Sequence, residues 1–289
     1  MAWSFDTQGP IVADVDIAAG SVHLIAGDRA ETVVTVNPAD PGSKMDVEAA
    51  EKARVDFADS RLSVVVPKPG GILAYVSFRD WGLVDVTIEL PAGSSVDAKT
   101  GAGALRADGQ FGEVTFGTGA GDIQVDHAQA RRLKSGAGRL RLGSSRGDTE
   151  VITAGDMEIG RIDGPAHVKN LNGHTRIGEV TGPIRVKSAN GDILVDRAHA
   201  DVNGRTANGR IVIGELMRGS VSLATASGVI DIGIAEGTSA WIDAGTQFGQ
   251  VRNSLEPTGA PEAGEKVEIQ ARTSFGDIDI HRSSPPENK

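Results

Sequence analysis

Residues 183–215 read PIRVKSANGDILVDRAHADVNGRTANGRIVIGE. Asn190-Gly191 and Asn208-Gly209 stand 18 residues apart, each followed by an alternating apolar pair, Ile193 with Val195 and then Ile211 with Ile213. A period of two puts both members of a pair on one face of a strand. Asn-Gly suits a bend that needs positive φ. Upstream, Asn172-Gly173 precedes Ile177 at the same offset. The stretch therefore holds two copies of one unit, and the copies continue in both directions.

The marker glycines are Gly103, Gly121, Gly138, Gly155, Gly173, Gly191, Gly209, Gly228, Gly249 and Gly276, with spacings of 18, 17, 17, 18, 18, 18, 19, 21 and 27. The last two spacings read as insertions, the larger at 254–265 with Pro257, Gly259, Pro261 and Gly264. Two positions after each glycine stands Leu105, Ile123, Leu140, Met157, Thr175, Ile193, Ile211, Ile230, Val251 or Ile278. A second short strand precedes each glycine, marked by Val168, Val186, Val202, Leu223, Ile242 and Ile269. Each rung is thus two short strands and two turns. One rung cannot bury its apolar face alone; rungs stacked about 4.8 Å apart can, and they pair each backbone above and below. A propeller needs blades of roughly 40 residues, and a sandwich does not hold so short a period for so long. The predicted fold is all-β, a single-chain β-solenoid (β-helix) of ~18-residue rungs. Asn172, Asn190 and Asn208 are expected to stack as an amide ladder.

Residues 1–92 read as an irregular N-terminal capping region continuous with the solenoid, 93–281 as regular rungs and 282–289 as a disordered tail. GSVHL at 20–24 already has the glycine–apolar form of the later rungs. The charged stretch 37–60 breaks the pattern and predicts a short helical turn over 47–55, and strand signals resume at Leu62–Val66. Tyr75, Phe78 and Trp81 form the densest aromatic cluster, and Val84, Val86, Ile88 and Leu90 alternate until Pro91.

Composition narrows the function classes. The chain has 289 residues, 38 glycines, no cysteine and a net charge of −10. An acidic chain disfavours nucleic acid as a partner. The missing cysteines exclude disulfides and thiolate chemistry. No stretch approaches the ~20 apolar residues of a membrane helix, and MAWSFDTQGP lacks the features of a signal peptide. These features predict a cytoplasmic protein that would reach a surface only by another export route.

The run VDVTIELPAGSSVDAKTGAGALRADG (84–109), with GDIQV (121–125), GDILV (191–195) and FGDIDI (275–280), resembles the bacterial putative-adhesin family of β-strand-repeat proteins, labelled as a domain of unknown function. The resemblance runs from Phe5 to Ile280 and rests on structural repeat residues. It implies the β-repeat fold and a surface role, and it carries over no catalytic residue.

Two outward columns are candidate sites. Ala104, Asp122, Arg139, Asp156, His174, Asp192, Arg210 and Val229 follow the glycines and alternate in charge. They read as a ladder that fixes register, or else as a carboxylate groove for a glycan-acting β-helix enzyme. Asp122 and Asp156 fall too far apart for a tight acid–base pair if a rung separates them. Four residues before the glycines runs a basic stripe of Lys99, Lys134, Lys169, Lys187, Arg205 and Arg272, with Arg132 and Arg185 on the same face. Lys134, Lys169, Lys187, Arg205 and Arg185 are the candidate anion- or partner-binding residues.

The six histidines show no HxH or HExxH spacing, and the GD dipeptides do not follow the GGxGxD calcium repeat. His127 and His199 read as turn residues. No metal, cofactor or catalytic residue is expected. The strongly patterned last rung (Val267, Ile269, Phe275, Ile278, Ile280) is a candidate edge for end-to-end self-association, as in the bactofilins, which share this kind of short period and pattern. The reading is a non-enzymatic scaffold or binding protein for an unknown protein or acidic polymer, with a self-assembling bactofilin-like protein and a glycan-acting enzyme as alternatives.

Overall fold

The computed structural model describes residues 1–67, 81–255 and 265–283. It forms two compact units, Met1–Ser145 and Arg146–Lys289, each a stack of parallel strand rungs. The predicted β-solenoid is the observed fold.

The first unit contains β1 (Ala2–Asp6), β2 (Val12–Gly27), β3 (Glu31–Pro38), α1 (Lys44–Glu51), β4 (Arg54–Ala58), β5 (Arg61–Val66), β6 (Val84–Pro91), β7 (Ser95–Ala102), β8 (Leu105–Thr118), β9 (Ile123–Ser135) and β10 (Leu140–Arg146). Spatial order departs from chain order. The first half of β2 lies parallel between β5 and β7, and its second half between β6 and the start of β8. The chain therefore enters at the second rung, builds the first one, and returns to the third. The outer sides of that first rung are closed by antiparallel strands: β4 pairs with β5, β3 with β6, and β1 with β3. The expected turn over 47–55 is a helix that begins earlier. The Ser43 hydroxyl accepts from the Asp46 amide at its N-terminus. The buried Asp46 carboxylate accepts from the Asp40 and Leu83 amides and pins the helix to the sheet. Of the aromatic cluster, Trp81 packs on Ala18 and Ala19, while Tyr75 and Phe78 lie outside the described residues.

The second unit contains β11 (Thr149–Thr153), β12 (Met157–Asp163), β13 (Ala166–Asn172), β14 (Thr175–Val180), β15 (Ile184–Asn190), β16 (Ile193–Ala198), β17 (Val202–Asn208), β18 (Ile211–Leu216), β19 (Gly219–Ser227), β20 (Ile230–Ile234), β21 (Ser239–Phe248), β22 (Val251–Asn253), β23 (Lys266–Phe275) and β24 (Ile278–Arg282). Odd strands from β11 to β19 stack on one another, as do even strands from β12 to β20. The residues two after each glycine fall in register, from Met157 through Thr175, Ile193, Ile211 and Ile230 to Ile278 and Val251. The row of Val168 and Val186 continues through Gly204 to Leu223, and Val202 lies in the neighbouring row. A side chain at Gly204 would meet the Leu223 methyl at 2.9 Å, so the larger residue fills the space above the smaller one.

The array does not end where the chain pattern ends. β23 and β24 lie between the β19–β20 rung and the β21–β22 rung. The rung of Val267, Ile269, Phe275, Ile278 and Ile280 is therefore an interior rung, and among the described residues the terminal edge is β21–β22. Burial explains the exchange. Ile278 and Ile280 are buried by neighbours on both sides, while the opposing Val251 and Asn253 are exposed. Burying one isoleucine contributes about 2 kcal/mol, and burying an asparagine in its place costs free energy.

The marker glycines are required by backbone approach. Gly209 has φ +142, and a Cβ there would lie 2.2 Å from the carbonyl oxygen of Gly191 one rung below. Gly121, Gly138, Gly191, Gly228 and Gly276 meet the glycine carbonyl of the adjacent rung in the same way, so no side chain fits between these turns.

Candidate functional site

Strand alternation sends Val168 and Val186 inward and Lys169 and Lys187 outward. Lys169, Lys187 and Arg205 are in direct register on β13, β15 and β17, three consecutive rungs. Arg185 lies on the same face two residues before Lys187, in register with His167 and Asn203. Leu171, Ala189 and Ala207 complete this face two residues beyond the cations. The nine residues include four Lys and Arg and no carboxylate, in a chain of net charge −10. Among the described residues, Lys169, Lys187, Arg205 and Arg185 make no side-chain hydrogen bond or ion pair. Most other arginines are paired: Arg161 with Asp163 and Glu179, Arg176 with Asp196, Arg210 with Asp192, Arg252 with Asp277 and Asp279. Each adjacent pair of like charges in the column costs roughly 0.5–1 kcal/mol in water, which an anion would offset.

The column continues through Ala224 to Arg272. The small residue opens a groove of about 510 Å³ lined by Arg205, Thr206, Ala224, Gly245 and Arg272. A second groove of about 400 Å³ runs past His167, Pro183, Arg185 and Asn203. Arg272 is engaged by Asp243 at 2.5 Å. Lys134 belongs to the first unit, where its register runs through Gly117 to Lys99. Of the five candidate residues, the structure thus brings together four.

The post-glycine column forms the expected charge contact between Asp192 and Arg210 and has a further task. Asp122, Asp156, Asp192 and Asp277 each accept the backbone amide of the residue opposite: Arg139 (2.7 Å), His174 (3.0 Å), Arg210 (2.8 Å) and Gln250 (2.9 Å). The Arg210 guanidinium adds a second contact to Asp192 at 3.0 Å. Partial burial pushes the Asp192 carboxyl up, but the Arg210 amide and guanidinium outweigh it and hold it below the ordinary carboxylate range. The Gln250 amide does the same for Asp277. All four carboxylates thus serve as acceptors for backbone amides of the neighbouring rung.

The amide ladder forms: Asn190 donates to Asn172 and Asn208 to Asn190, both at 3.0 Å. The same column continues through Ser227 to Phe275 and Phe248, whose rings stack 5.0 Å apart. A further ladder was not read from the sequence. Thr118, Ser135, Thr225, Thr246 and Thr273 each donate a hydroxyl to the carbonyl of a marker glycine one rung away. The signal was present, since a hydroxyl residue stands three positions before eight of the ten glycines.

The histidines are held singly. His23 contacts Asp108, His199 contacts Glu179 and His281 contacts Asp231. His199 lies at a turn, whereas His127 sits within the long strand β9 and contacts Ser144. Among the described residues, no group of three or more His, Asp or Glu converges as a metal site, and no helix is long and apolar enough to cross a membrane.

A family model described as Toastrack DUF4097 matches residues 13–284, nearly the whole array. The chain belongs to the Toastrack DUF4097 family. The Toastrack domain is a β-solenoid, in agreement with the stacked rungs. Solved structures similar to this chain include a putative adhesin from Bacteroides fragilis, at 11% identity and TM-score 0.39, covering 97% of this chain and 96% of that one. Another is a putative lipid binding protein from Parabacteroides distasonis, at 11% identity and TM-score 0.37, covering 97% and 96%. A third is a putative adhesin from Parabacteroides merdae, at 10% identity and TM-score 0.32, covering 97% and 95%. No curated protein matches.

Proposed function

We propose that this Toastrack protein is a non-enzymatic binding scaffold that grips a linear acidic polymer along Lys169, Lys187 and Arg205, with Arg185 beside them. One observation carries the reading: four cations share one face of three consecutive rungs, none engaged by a carboxylate, while most arginines elsewhere are paired. Rungs repeat every ~4.8 Å, so the column presents charge at a fixed interval to a ligand that also repeats. A polymer lying along it releases its own counterions, the main source of affinity in such contacts. The two grooves leave room for backbone or ring atoms beside the charged groups. The turn carboxylates favour binding over hydrolysis, since Asp156 and Asp192 already hold backbone amides.

Heparin, as a sulfated polymer probe, tests the reading by titration against the intact chain at low and high salt. The expected result is binding that weakens steeply with salt and falls at least tenfold in Lys187→Glu. Absence of binding at low salt, or an unchanged affinity in Lys187→Glu, removes the proposal.

A further inference from the structure

We infer that the outer face of the β21–β22 rung is a self-association edge, where a second copy of this chain docks antiparallel about a two-fold axis. The inference is independent of the cationic column and rests on the terminal rung alone.

Among the described residues, β21 pairs only with β23 and β22 only with β24. One side of a ten-residue strand and of its three-residue continuation therefore offers unpaired N–H and C=O groups. The core is open at the same place. Ile242 and Ala244 lie in the rows of Ile269 and Ala271, which are fully buried, yet they are themselves only half-buried. Exposed apolar side chains gather around this edge: Trp241 at 59%, Phe248 at 64%, Val251 at 43% and Phe275 at 57%. The devices that protect natural edges, lysine and proline, are missing from 239–253.

Charge and pairing favour a second copy as the occupant. The edge rung carries one acid and one base, Asp243 and Arg252. Both are neutralised within the chain, Asp243 by Arg272 and Arg252 by Asp277 and Asp279. Two chains of net charge −10 can thus meet here through a neutral surface. A parallel, head-to-tail continuation would need an open first rung. That rung is closed, since β5 lies between β2 and β4 and β6 between β2 and β3. The antiparallel strands outside it, β1 and β4, are five residues each. The edge matches another copy of itself, which gives a closed pair and no filament.

Sedimentation of the intact chain from about 1 to 100 µM, in about 0.5 M salt to suppress polyanion contacts, tests this. The expected result is a dimer and nothing larger. The double variant Trp241→Lys/Phe248→Lys, at two exposed positions, should weaken it at least tenfold. Single-chain mass throughout, with residues 256–264 of the same chain as the alternative cover, would overturn the inference. So would a mass that keeps growing with concentration, or a dimer indifferent to the double variant. If the variant loses its fold, amide exchange of wild-type residues 239–253 decides. It should slow at least tenfold across the same range, and exchange independent of concentration contradicts the proposal.

Discussion

Replacing Gly209 by alanine should be among the most damaging single-methyl changes in the protein. Gly209 holds φ +142, a conformation that costs a residue with a side chain about 1–3 kcal/mol. The new Cβ would also sit 2.2 Å from the Gly191 carbonyl oxygen and 2.6 Å from its carbon. The rungs must separate locally to relieve this. Three bonds span the displaced turn: the Gly209 amide to Ser227 (2.9 Å), the Thr225 hydroxyl to Gly209 (3.1 Å) and the Arg210 amide to Asp192 (2.8 Å). Weakening two of them at roughly 1 kcal/mol each brings the total to about 3–5 kcal/mol, a large part of the stability of an ordinary domain. Two further glycines grade the effect. Gly237 has φ +77 but open space around its Cβ direction, so Gly237→Ala pays the conformational cost alone, about 1 kcal/mol. Gly27 has neither constraint, and Gly27→Ala should lie within about 1 kcal/mol of wild type. Urea midpoints at constant m-value give the three numbers. A Gly209→Ala loss below about 1 kcal/mol, or no separation from Gly237→Ala, would refute the claim that rung contact sets the glycine positions.

Three further outcomes follow from the site. Asn190→Ala removes a bond to each neighbour of the amide ladder and should cost about 1 kcal/mol in the same assay, because the ladder is exposed to water. The folded Asp192 carboxyl lies below its ordinary range, so its contribution is full above about pH 4 and is lost as pH falls through the folded value. Asp192→Asn should therefore flatten the acid side of a midpoint-against-pH curve. His281 has a raised pKa, chiefly from its hydrogen bond to the Arg282 carbonyl and further from Asp231, with burial opposing. Its contribution is full below about pH 6.5 and lost as pH rises through the folded value, so His281→Gln should reduce the decline in midpoint on going from about pH 6 to 8.

Most of the stack was legible because its constraints repeat. An 18-residue glycine interval, the apolar pair after it and the Asn column each report a contact between neighbouring rungs, and the same contact recurs at each rung. The column of Lys169, Lys187 and Arg205 followed directly from that period. Stacking order was not legible. Residues 239–253 and 266–282 both carry a rung pattern, and a pattern that fits one neighbour fits another. What decides is which rung gains more from burial on two sides, Ile278 and Ile280 against Val251 and Asn253. The same ambiguity placed β2 inside the first unit although it comes early in the chain. The ladder contact of Asp192 with Arg210 was legible, but the hold of the turn aspartates on backbone amides was missed for another reason. Their partners are backbone amides, which have no letter in the sequence, so Asp156 and Asp192 looked available when they were already engaged.

The most direct measurement is the salt dependence of heparin binding by the intact chain and by Lys187→Gln. If the cationic column is the site, the logarithm of the binding constant falls linearly with the logarithm of salt concentration. Removing one stacked charge should then lower that slope by about one. A slope that Lys187→Gln leaves unchanged would place any binding elsewhere on the molecule and contradict the account.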